Sequence, residues 1–161
     1  MEINEKVSKE KLIEFSGEHL YYEIWMLYGV TDTLLKGVED RYVYNALLES
    51  FVIHASIIID FFYRPQVYDG DARALHYVDD IRAWRESLPS YERYFKKFHR
   101  KRNKEVVHLS YNRLDVKPEE KRWNARKVIK QIRKIVDRFL AQANPELLHP
   151  KMYELRTGTG K

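Results

Sequence analysis

The chain has 161 residues and no cysteine, and its six Gly and five Pro stand against twelve Tyr, seven Phe and three Trp. That length suits one domain with its own core, and the missing thiols exclude a disulfide scaffold, a thiolate metal site and a cysteine nucleophile. The formal charge of +5 conceals an imbalance: residues 1–80 carry 7 Lys/Arg against 15 Asp/Glu, and residues 81–161 carry 22 against 9.

Sparse turn residues argue against a sheet-rich fold. The first predicted helix runs from about Ser8 to Tyr28 on Leu12, Phe15, Leu20, Ile24 and Leu27, with Gly29 as its stop. The second covers Arg41 to Tyr63, ahead of Pro65, on Tyr44, Leu48, Phe51, Ala55, Ile58 and Phe62. Leu47, Ile57 and Phe61 widen that stripe almost all round, the pattern of a central helix. Residues 64–88 form a long connection in which Tyr77, Val78, Ile81, Trp84 and Leu88 are expected to fold back on the core.

The third helix is expected from about Pro89 to Asn112 on Tyr91, Phe95, Phe98, Val106 and Leu109. The fourth is expected from Pro118 to Ala143 on Ala125, Ile129, Ile132, Val136 and Phe139, with Glu119 and Glu120 at its start. The layer solution for four such helices is an all-α, antiparallel up-down four-helix bundle. One domain over residues 1–146 and a flexible tail over 147–161 complete the expectation. The polar start MEINEKVSKEK does not read as a signal peptide. The best apolar run is interrupted by His54 and Asp60, so a cytoplasmic protein without membrane contact is expected.

The third helix carries one oddity. Its apolar stripe leads from Phe98 to Arg102, a permanent charge on or beside the buried seam that demands a carboxylate, a phosphate or open solvent. Asn103 follows, and His108 comes six residues after Arg102. That spacing gives a rise of about 9 Å and leaves the two side chains about 120° apart, so they converge only through their length or at a symmetric interface. Arginine can hold a phosphate and offset developing charge, while histidine moves a proton near neutral pH.

An arginine followed by a polar residue, four further residues and a histidine, late in a helix of an all-helical domain, resembles the motif of the HEPN superfamily. The resemblance implies a helical bundle, often dimeric, with Arg102, Asn103 and His108 of both subunits lining one cleft. It further implies metal-independent RNA cleavage by the 2′-hydroxyl in a toxin or defence setting, or an inactive relative of such an enzyme. The segment Lys104, Glu105, Val106, His108, Leu109, Tyr111, Arg113 also resembles a stretch in small bacterial helical proteins, and no activity comes with that likeness.

Other groups have both plain and functional readings. Glu49 is a candidate to orient Arg102 or His108 across the bundle. Against this stands a structural reading in which Arg102 pairs with Glu49 or Asp60. His54 fits a core histidine better than a catalyst. His76 with Asp79 or Asp80 has a metal-like spacing, but helix capping explains these residues more simply, and no metal or cofactor is expected. Lys101, Lys104, Arg126, Lys130 and Arg133 are candidate nucleic-acid contacts, with Tyr111 and Trp123 near them to stack bases. A solvated helix face explains the same charges. The expected partners are a second copy of the chain, RNA, or a cognate protein. The alternative to an enzyme is a helical adaptor or nucleic-acid-binding protein without catalysis.

Overall fold

The computed structural model describes residues 7–64, 70–107, 109, 111–117, 119 and 122–158. Among these the regular structure is helical, apart from one isolated antiparallel bridge between Val78 and Ala143. The all-α expectation therefore holds.

Helix α1 (Lys9–Phe15) starts at Ser8, whose Oγ accepts the Lys11 amide at 3.3 Å, as an N-cap should. It continues through a π turn, Ser16–Leu20, into α2 (Tyr21–Lys36). Gly29 does not stop this run as expected, since a helix interior tolerates one glycine at a cost of about 1 kcal/mol. The run ends at Gly37, whose φ of +96° favours a residue without a Cβ. The π turn marks a docking point. Ser16 Oγ donates to the Ile13 carbonyl and accepts the His149 amide, each at 2.9 Å.

Helix α3 (Arg41–Tyr63) matches its expected bounds. Asp40 Oδ1 caps it by accepting the Val43 amide at 2.9 Å, and Arg64 leaves it with ψ of 119°, the extended conformation preferred before a proline. Its buried residues include Phe51, Val52, Ala55, Ile58, Ile59, Phe61 and Phe62. Ile53 and Ile57 remain exposed, so α3 is not enclosed on every side. By length and composition α3 could cross a membrane, with a mean hydropathy of 1.6 in its best window, of which 44% is buried here. His54 and Asp60 thus leave α3 within the length and composition of a span, as the core helix of a soluble protein also is.

The third expected helix is broken. Phe95, with φ of −123°, separates α5 (Tyr91–Tyr94) from α6 (Lys96–Arg102), and a π turn, Asn103–Val107, follows. Phe95 and Phe98 reach the core, but Leu109 is 92% exposed rather than part of the seam. The fourth expected helix starts later, at Asn124, whose Oδ1 accepts the Lys127 amide at 3.0 Å. This is α7 (Ala125–Gln142), and its whole expected stripe is buried. Pro118 and Glu120 lie outside the described residues.

The connection contributes α4 (Ile81–Ser87), capped by Asp80. Tyr77, Val78 and Trp84 are buried as expected, whereas Ile81 is exposed. Phe139 of α7 lies at the centre of an aromatic cluster, with ring centroids 5.6 Å from Phe61 and Phe62, 5.7 Å from Trp84 and 5.9 Å from Tyr77. The segment from Leu147 is not a tail outside the core. Leu148, Met152 and Leu155 are all buried, the last two in a 3₁₀ helix, Pro150–Leu155.

Candidate functional site

Arg102 ends α6 and Asn103 opens the π turn, so the two meet where the helix changes pitch. Asn103 Oδ1 accepts from Arg102 Nε at 3.0 Å and from Nη2 at 2.9 Å. This holds one edge of the guanidinium plane. On the other side Nη1 lies 3.8 Å from Asp60 Oδ2 near the end of α3. The Arg102 side chain is 23% exposed, so part of the cation still faces solvent.

His99 sits one helical turn before Arg102, on the same face of α6. Its Nδ1 is 2.7 Å from the Tyr91 hydroxyl, and its Nε2 is 3.8 Å from Asp60 Oδ1. Nε2 is buried and has no hydrogen-bond partner among the described residues. The arrangement fits a neutral ring that accepts the Tyr91 O–H at Nδ1 and turns its Nε2–H toward Asp60, a tautomer assigned from these neighbours. Burial pushes the His99 pKa down, Asp60 pulls it up and Arg102 pushes it down again. The Tyr91 hydroxyl is raised by burial first, then by Asp60.

Four groups thus converge on Asp60: His99 and Arg102 directly, and Tyr91 and Asn103 through them. Asp60 also borders a cleft of about 390 Å³ beside His19, Glu23, Arg64 and Arg73. The carboxylate that meets Arg102 is therefore Asp60. Glu49 is exposed on α3 and makes no contact with Arg102. His108, the expected proton carrier, lies outside the described residues.

The candidate nucleic-acid contacts divide into two groups. Lys101 is committed to the protein: Nζ lies 3.3 Å from Glu105 Oε1, donates to the Arg122 carbonyl at 3.3 Å and sits 4.9 Å from the Trp123 ring centre. Arg133 donates to Asp32 Oδ1 at 2.7 Å and lies over the Tyr28 ring at 5.0 Å. Lys104, Arg126 and Lys130 are exposed and have no ion-pair partner among the described residues. The positive face is consequently narrower than the sequence suggests and is concentrated near the start of α7.

The remaining candidates have local roles. His54 Nδ1 meets Glu23 Oε2 at 2.6 Å. Asp79 accepts from Asn144 Nδ2 at 3.1 Å and Asp80 caps α4, so neither is directed at His76. Sequence reading missed His99 and Tyr91. The i,i+3 spacing of His99 and Arg102 was an available signal, whereas the approach of Tyr91 depends on the break at Phe95.

No family model, no curated protein and no solved structure matches the chain.

Proposed function

We propose that the chain is a HEPN-like helical protein that acts on RNA as a cytoplasmic homodimer. In this reading the α1–α2 run, α3, the broken α5–α6 run and α7 are the four members of an up-down bundle. Arg102 holds the scissile phosphate, Asn103 sets the plane of its guanidinium, and His108 transfers the proton. The observation that carries the reading is the Arg102 guanidinium, oriented through two bonds to Asn103 and still partly open to solvent. Orientation before binding is what a phosphate-holding arginine needs in order to favour a transition state. No metal is required for attack by a 2′-hydroxyl.

The test is incubation of purified protein with single-stranded RNA in excess EDTA. Cleavage to cyclic-phosphate ends is expected, with His108→Ala and Arg102→Ala each lowering the rate by about 100-fold or more. Intact RNA after incubation with folded wild-type protein would rule out the catalytic reading. A second reading, RNA binding without catalysis, is favoured by Lys104, Arg126 and Lys130, exposed and without ion-pair partners among the described residues, while Asp60 competes with phosphate for Arg102.

A further inference from the structure

A second cleft lies beside the start of α7, next to the Phe98 and Lys101 side chains of α6 that hold Trp123. It encloses about 440 Å³ between the end of α2, the first turns of α3 and the residues that open α7. Leu34, Leu48 and Ala125 give it an apolar base, Tyr44 and Trp123 supply two aromatic rings, and Arg122 and Arg126 supply two guanidinium groups. No Asp or Glu lines it. Neither arginine has an ion-pair partner among the described residues, and both are exposed. The volume is within the usual range for small-molecule pockets, roughly 300–1,000 Å³.

Trp123 is held in place. The Phe98 ring meets it edge-on with centroids 5.4 Å apart, and the Lys101 ammonium lies 4.9 Å from its centre. A fixed ring can stack a planar ligand without first losing its own rotamer freedom. Paired cations that the fold does not neutralise favour an anion beside that ligand. A planar ring next to a phosphate is the chemistry of a nucleotide. An acidic peptide would use the arginines and leave the rings idle, and an apolar helix would bury two unpaired charges against itself.

We infer that this cleft binds one nucleotide of a single-stranded RNA, with its base on Tyr44 or Trp123 and its phosphate on Arg122 and Arg126. The inference rests on the RNA reading above and deepens it. The cleft borders the start of α3 and Arg102 meets Asp60 near its end, about 24 Å further along that helix, so a strand held here has to run several nucleotides to reach the candidate phosphate-holding residue. Stacking is tolerant of base identity, so little sequence preference is expected.

The test is fluorescence anisotropy of a labelled twelve-nucleotide oligo(A) RNA with the full chain in EDTA, paired with a cleavage assay on the same RNA. Tyr44 and Arg126 are solvent-exposed, so Tyr44→Ala and Arg126→Gln should keep the wild-type urea midpoint. Tyr44→Ala is expected to weaken binding by about 5- to 100-fold. Arg126→Gln should also weaken it and reduce the slope of log affinity against log salt by about 0.7. Lys151→Gln, outside the cleft, serves as the control and should bind as the wild type does. Binding without cleavage would support the cleft and defeat the nuclease reading. Cleavage with unchanged binding by both variants would overturn the cleft and leave the nuclease reading standing. Competition by AMP as effective as by oligo(A), or by polyglutamate instead of either, would overturn the assignment to an RNA strand.

Discussion

His99 shows how one buried side chain can make the whole fold sensitive to acid. Burial lowers its pKa from the ordinary 6.5, Asp60 offsets part of this, and Arg102 adds to it. His76 is also lowered, by burial and then by Arg73. For each, the unfolded chain binds a proton more readily than the folded one, so stability rises with pH across that window. The contribution is complete above the unfolded value of 6.5 and is lost as pH falls from there toward the lowered folded value. The urea midpoint of the wild type should therefore drop between about pH 7 and pH 5, the window set by histidine. His99→Gln should flatten that decline even if it costs stability at neutral pH by losing the Tyr91 bond. An unchanged decline in His99→Gln would mean that the buried ring does not titrate with folding.

At the scale of elements, two glycines in one continuous helical run have opposite roles. A Cβ on Gly17 would stand 2.6 Å from His149 Cγ, whereas a Cβ on Gly29 would meet nothing within 4 Å. Gly17→Ala should force the His149 segment away and destabilise the protein by about 1–3 kcal/mol, the usual cost of overpacking. Gly29→Ala should stabilise it by about 0.4–1 kcal/mol through lower unfolded-state entropy. Urea denaturation of the two variants checks both signs, and equal effects would contradict the close approach at Gly17. This contrast also shows what was legible in the sequence. The stripes of α1–α2, α3 and α7 could be read because each buries one face at helical spacing. The break at Phe95 and the π turn at Ser16 could not, because they are imposed by docking: Ser16 accepts the amide of His149, a residue 133 positions away. The candidate site divides in the same way. Arg102 stands out as a charge on an apolar stripe with a polar Asn103 beside it, but only packing decides that Asp60, rather than Glu49, is the carboxylate on α3 that meets the arginine.

At the scale of the whole molecule, the acidic first half and basic second half partly neutralise each other within one chain. Arg133 reaches Asp32 at 2.7 Å and Arg102 meets Asp60 at 3.8 Å, while Lys9 and Glu146, 2.9 Å apart, pair in the opposite sense. Pairs that keep contact with solvent contribute little stability, about 0–1 kcal/mol each. Their consequence is to leave a smaller unpaired positive surface around Lys104, Arg122, Arg126 and Lys130. The C-terminal segment ties the halves together more firmly. Leu148, Met152 and Leu155 are at most 5% exposed, and Asp137 on α7 accepts both the amide and the hydroxyl of Thr157 at 2.8 Å. Full burial of a large apolar side chain is worth about 1.5–3 kcal/mol, and a domain has only about 5–15 kcal/mol in total. A chain ended at Glu146 should therefore lose a large share of its stability. At about 2–4 °C per kcal/mol for this size, the Tm should fall by at least about 10 °C. Calorimetry on the shortened chain measures this directly. A solvated tail could be removed with no change in Tm, so an unchanged value would show that the three side chains do not support the core.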